Sequence, residues 1–172
     1  MSRKLVNGRP SIRGGAWRTP SPYLKRNLTL LAEGIDRRWG VVVDLGCGNG
    51  RNSEFLAKKG FRRIHSYDML DDYGEALVIG RDRVPLVACG VSLILANYLL
   101  MFLGKRELEN ALTEIKRIAV PGCKLVVELY NAKESRTPTK DKMLRLQADI
   151  VRRLGWTEIK SSRGRFIVRN DC

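Results

Sequence analysis

The 172-residue chain carries 44% hydrophobic and 29% charged residues, a mix that supports one domain with a buried core and excludes a disordered, collagen-like or coiled-coil chain. Its 32 Lys and Arg against 18 Asp and Glu leave a net charge of +14, which suits either a soluble surface or an electrostatic footprint for a polyanion. No apolar run reaches the roughly 18 residues of a bilayer span, because the stretch 84–103 is broken by Pro85, Cys89, Gly90, Ser92 and Asn97.

No membrane association is therefore expected. The start of the chain has basic residues but no apolar segment of the secretory kind. Cys47, Cys89, Cys123 and Cys172 lie far apart without a Cys-x-x-Cys pair, which points to reduced thiols in a cytoplasmic protein and to no metal site.

In chain order, residues 1–22 hold Gly8, Pro10, Gly14, Gly15, Pro20 and Pro22, so they read as an arm without regular elements, followed by one domain over 23–172. Leu24, Leu28, Leu31 and Ile35 recur at helical spacing and predict a helix over 23–38, stopped by Gly40. Strands are expected at 41–45, 63–67, 76–79, 91–96 and 124–130, with helices at 51–59, 105–119 and 140–154. A hairpin over 157–160 and 165–169 turns at 161–164. Strands alternating with helices imply an α/β fold: a doubly wound, mostly parallel sheet, closed by a C-terminal antiparallel hairpin.

The strongest motif is Val41-Val-Val-Asp44-Leu-Gly46-Cys47-Gly48-Asn-Gly50. A buried strand runs into three alternate glycines and then a helix, a turn whose backbone can approach a ligand closely and whose helix N-terminus offers free N–H groups. A dinucleotide fingerprint places its third glycine one residue later, where this chain has Arg51. Asp44 would also oppose a pyrophosphate, and it suits a ligand carrying positive charge.

Asp44, Gly46, Gly48 and Gly50 resemble the first motif of the class I S-adenosylmethionine-dependent methyltransferases, and the resemblance covers about 40–130. It implies a seven-stranded sheet, here shortened, and S-adenosylmethionine as cofactor, held by Asp44, Gly46, Cys47, Gly48 and Gly50. Cys47 reads as a small turn residue and not a nucleophile. Asp68, with Met69 beside it, resembles the acid that accepts hydrogen bonds from the ribose hydroxyls. Asp82 resembles the acid at the adenine amino group, although only 14 residues separate it from Asp68, so the intervening helix is expected to shrink to a turn. Asn97 and Tyr98 resemble the exit of the fourth strand, lining the cofactor (Asn97) and positioning the acceptor (both). Arg18, in the arm, can pair with the cofactor carboxylate.

The acceptor is less marked. Asn97-Tyr-Leu-Leu differs from the Asn/Asp-Pro-Pro-Tyr/Phe of amino-methylating nucleic-acid enzymes, and Pro-Cys, needed for cytosine C5 attack, does not occur. The charge is uneven, however: residues 1–39 hold nine bases and two acids, 133–172 eleven and five, and 40–132 twelve and eleven. Both basic ends are expected to flank the carboxyl edge of the sheet and to offer nucleic acid, or another polyanion, a docking surface. A small-molecule or protein acceptor is the alternative, and a non-catalytic cofactor-holding module that binds nucleic acid is the competing class. The oligomeric state is not legible.

Overall fold

The computed structural model describes residues 5–6, 9–10, 19–70, 74–129 and 140–172. Its centre is a seven-stranded sheet. The strands are β3 (Val41–Leu45), β4 (Arg63–Asp68), β5 (Glu75–Ala76), β6 (Val91–Asn97), β7 (Ala119–Glu128), β8 (Thr157–Ser162) and β9 (Arg165–Arg169). They lie in the order β5-β4-β3-β6-β7-β9-β8. The first five run parallel and β9 is antiparallel to both neighbours, as the alternating pattern implied. A separate antiparallel ladder pairs β1 (Leu5–Val6) with β2 (Arg9–Pro10) inside the arm, where no element was expected. Among the described residues, no helix is long and apolar enough to cross a membrane.

Alternate strand residues face opposite layers. Val41, Val43, Leu45, Ile94, Ala96, Leu125 and Val127 pack with helices α4 (Lys105–Ile118) and α5 (Lys140–Leu154). Val42, Leu93, Leu95, Val126 and Ile167 pack beneath α1 (Pro22–Arg26), α2 (Leu28–Ala32) and α3 (Arg51–Lys58). All five residues of β3 are buried, the mark of a central strand covered on both faces.

Four boundaries differ from the sequence reading, each for a local reason. The helix expected over 23–38 is two short ones, because the Asn27 side-chain amide donates to the Tyr23 carbonyl at 2.8 Å and competes with the continuing helical ladder. Gly34, at φ +74°, then lies beyond the end of α2. The third strand is only Glu75–Ala76, with Ile79 making a lone bridge to Asp82. The fifth strand starts at Ala119, and a bulge holding Pro121 and Gly122 lies between the Val91–Ala119 and Leu93–Lys124 pairs.

Residues 69–74 alone join β4 to β5, too few for a crossover helix. Segment 77–90, which has no helix, is fixed by α4. Arg117 donates to the carbonyls of Val84 and Leu86 at 2.9 and 2.8 Å while pairing with Glu114. Asn110 donates to the Gly80 carbonyl at 3.0 Å, and Arg81 pairs with Glu107 at 2.8 Å. A Cβ on Gly80 would lie 2.4 Å from the Glu107 carbonyl oxygen, so only glycine allows this approach.

Candidate active site at the carboxyl edge of the sheet

Parallel strands β3, β4 and β6 all end at one edge, where the chain must turn into loops. After Leu45, the N–H groups of Gly46 and Cys47 both donate to the Tyr67 carbonyl, at 2.8 and 3.1 Å. This hooks the turn onto the end of β4. Gly46, Gly48 and Gly50 all adopt left-handed φ, at +69°, +59° and +71°, a conformation costly to residues with a Cβ. A Cβ on Gly46 would also lie 3.0 Å from Leu99, in the loop after β6. Over Gly48 it would meet nothing within 4 Å, so the space above the turn is open.

The Gly48 N–H points at Asp68, donating to Oδ2 at 2.9 Å, while Leu70 N–H donates to Oδ1 at 3.3 Å. Asp68 is thus oriented by backbone donors at the mouth of the turn. Asp44 is fully buried below it and accepts from Ser53 Oγ at 2.8 Å, which in turn lies 2.8 Å from Ser66 Oγ. Burial pushes the Asp44 carboxyl up to about 7, and Asp68 adds to the rise, against the Ser53 hydrogen bond and the Arg51 charge. An opposite charge from a ligand would favour its ionised form.

Cys47 turns inward. A Cβ on Gly74 would lie 2.9 Å from its sulfur, and burial pushes the thiol up to about 12. It is a small packed residue of the turn, not a poised thiolate. Met69 is exposed beside Asp68. Asp82 stands apart from this group: its Oδ2 accepts the Val78 N–H at 2.7 Å, closing its own turn beyond β5. Arg18 lies outside the described residues.

The second half of the edge is organised by a residue the sequence reading did not single out. Glu128, at the end of β7, is wholly buried. Its Oε1 accepts hydrogen bonds from Ser21 Oγ and Asn97 Nδ2. Its Oε2 accepts from the Tyr98 hydroxyl at 3.1 Å and lies 3.3 Å from Arg165 Nε. Asn97 and Tyr98 are therefore both held by this carboxylate. Tyr98 takes φ +58°, with its N–H donating to the Glu128 carbonyl at 2.7 Å. Burial and then Glu128 push its phenol up to about 12, so it stays protonated.

Ser21 also caps α1, accepting from the N–H groups of Tyr23 and Leu24, and its own N–H donates to Asn52 Oδ1 at 2.9 Å. Around Glu128, the Tyr23 hydroxyl and Asn97 Oδ1 are buried without a hydrogen-bond partner among the described residues, while Arg165 Nε pairs with the Glu128 charge. Such orphaned groups are rare in cores and common where a ligand binds. The hairpin tip is here too, since Leu129 N–H donates to the Gly164 carbonyl at 2.6 Å and places exposed Arg163 nearby.

Among the described residues no cluster of His, Cys, Asp and Glu has a metal-binding arrangement. No protein-family model matches the sequence, nor does any curated protein sequence. Solved structures do match in fold. A 1,6-didemethyltoxoflavin-N1-methyltransferase from Burkholderia thailandensis, with bound 1,6-didemethyltoxoflavin and S-adenosylhomocysteine, superposes with a TM-score of 0.64 at 14% identity, over 88% of this chain and 79% of that one. The N-methyltransferase NodS from Bradyrhizobium japonicum, in complex with S-adenosylhomocysteine, gives 0.60 at 16% identity, over 90% and 91%. A SAM-dependent methyltransferase from Aquifex aeolicus gives 0.59 at 18%, over 87% and 92%. The chain has the fold of these enzymes.

Proposed function

We propose that the protein is an S-adenosylmethionine-dependent methyltransferase. The observation that carries the reading is the Gly48 N–H on Asp68 at 2.9 Å beneath open space. It supports the reading because a turn of left-handed glycines lies beside a carboxylate, in a fold whose neighbours were crystallised with S-adenosylhomocysteine. When bound, the cofactor supplies an already activated methyl group on a sulfonium. The chain's task is then alignment and exclusion of water. Gly46, Gly48 and Gly50 would line the cofactor, Asp68 would take the ribose hydroxyls, and Asp44 would face positive charge.

Asn97 and Tyr98 would set the acceptor. The Asn97 amide N–H is spent on Glu128, so Oδ1 is left to accept from an N–H or O–H of the incoming molecule. This favours a nitrogen or oxygen acceptor. The basic ends of the chain, with Arg163 at the hairpin tip, support a nucleic-acid or other polyanionic acceptor as the first to test. A small molecule or a protein is the second, because the Asn97 contact needs only one donor.

Calorimetry with S-adenosylhomocysteine tests the cradle. Gly48→Ala and Asp68→Ala are each expected to weaken binding by about tenfold or more, and unchanged affinity in both would refute the assignment. Tritiated methyl transfer to RNA, DNA, protein and metabolite pools identifies the acceptor. Label in none of them, with tight cofactor binding retained, would leave a cofactor-holding module without catalysis.

A further inference from the structure

The opposite edge of the sheet, where β3 and β4 begin, carries a different chemistry. Two loops meet there: the link from α2 to β3 and the link from α3 to β4. Arg62 N–H donates to the Arg37 carbonyl at 3.0 Å, Arg37 donates to the Lys59 carbonyl at 3.0 Å, and Arg63 reaches the Trp39 carbonyl at 3.3 Å. These bonds gather Arg37, Arg38, Lys59, Arg62 and Arg63, all exposed, around Trp39.

Trp39 is 62% exposed, unusually high for the largest apolar side chain. Its backbone is held, because Asp36 Oδ1 accepts the N–H groups of both Arg38 and Trp39, at 2.7 and 3.2 Å. The Arg38 guanidinium lies over the ring, 5.2 Å from its centroid. The two loops hold two acids, Glu33 and Asp36. The ion pairs of the described residues leave Arg38, Arg62 and Arg63 without a carboxylate partner. A helix dipole accounts for Lys58 and Lys59 at the end of α3. It does not account for the arginines of the preceding loop and of β4.

We propose that this edge is a docking surface for single-stranded nucleic acid, with a base stacked on Trp39 and phosphates taken by Arg38, Arg62 and Arg63. Stacking needs an exposed, immobilised ring, and a cationic rim follows the backbone without reading sequence. A bilayer would want further apolar side chains to insert, and neither loop exposes another large one. The surface is separate from the cofactor cradle, at the other end of the same strands, and its existence does not depend on the methyltransferase reading.

The test is fluorescence anisotropy of the full chain with a labelled oligouridylate of about 15 nucleotides, titrated from about 50 to about 200 mM salt. Trp39→Ala is expected to weaken binding about tenfold, and Trp39→Phe to retain most of the affinity. The double variant Arg62→Ala/Arg63→Ala is expected to weaken binding and to flatten the salt dependence by about 0.7 per lost phosphate contact. Unchanged affinity in the Trp39→Ala protein would overturn the proposal, as would unchanged affinity in the double variant. Sedimentation with phosphatidylserine vesicles in place of oligouridylate binding would overturn it in favour of a membrane. S-adenosylhomocysteine calorimetry on the same variants should be unaltered, which separates failure of this surface from failure of the cradle.

Discussion

The two ends of the parallel strands have opposite characters. At the carboxyl ends, Asp44, Asp68 and Glu128 are carboxylates turned inward, each held by donors from the chain itself. At the amino ends, Arg38, Arg62 and Arg63 are cations turned outward, and Trp39 stands among them. One end has bound its charges into a geometry; the other displays them. A net charge of +14 therefore says little about the glycine turn, whose nearest ionisable side chains include the acids Asp44 and Asp68.

The contrast can be broken most severely at Glu128. Glu128→Ala removes the acceptor shared by Ser21, Asn97 and Tyr98 and the charge partner of Arg165, and losing one member of a buried charged network costs about 3–5 kcal/mol. Differential scanning calorimetry should show the melting temperature falling on the order of 10 °C. Glu128→Gln, which keeps the shape and one acceptor oxygen, should fall less.

Asp44 sharpens the same end through pH. Its folded value, about 7, lies above its ordinary 3.8, so the native state holds a proton that the unfolded chain has already lost. Between about pH 4 and 7 the native form binds more protons, and stability falls as pH rises through that window. The ligand-free protein should lose on the order of a few kcal/mol across it. Asp44→Asn should flatten the loss in urea titrations run at a series of pH values.

Ser21→Ala tests whether the start of α1 belongs to the site. It removes a helix cap and one donor to Glu128, at a cost of about 1–2 kcal/mol, read as a shifted urea midpoint with an unchanged slope. The smallest effect belongs to the other edge: Arg62→Ala/Arg63→Ala should move stability by less than about 0.5 kcal/mol, since those side chains pack against little. A large loss there would mean that the cations are structural.

What the sequence disclosed follows the range of the interactions. The glycine turn is legible because Asp44, Gly46, Gly48 and Gly50 are contiguous and their left-handed φ values demand glycine locally. Most strands are legible for the same reason, since runs such as Val41-Val-Val and Ser92-Leu-Ile-Leu are buried on both faces. The break at Asn27 escaped because apolar spacing carries no trace of one amide bonding to Tyr23. Glu128 escaped because it looks like the last polar residue of a strand, and its partners lie at 21, 97–98 and 165. The edge around Trp39 escaped because dividing the chain at residue 39 separated Arg37 and Arg38 from Arg62 and Arg63, which the fold unites. The central segment is neutral in sum but not in space.

The Glu128 carboxylate also sets an order in time. Ser21 is 107 residues upstream of it, and Arg165 arrives only with the last strand. During synthesis, at about 5–20 residues per second, the first donor waits several seconds for its acceptor. The acceptor then waits again for its guanidinium. Until β9 pairs with β7 the nascent chain holds an anion without its cation, so the parallel strands can pair early while the carboxyl edge matures late. A translation pause between residues 128 and 165 would lengthen the interval in which a chaperone or a protease meets that edge unfinished.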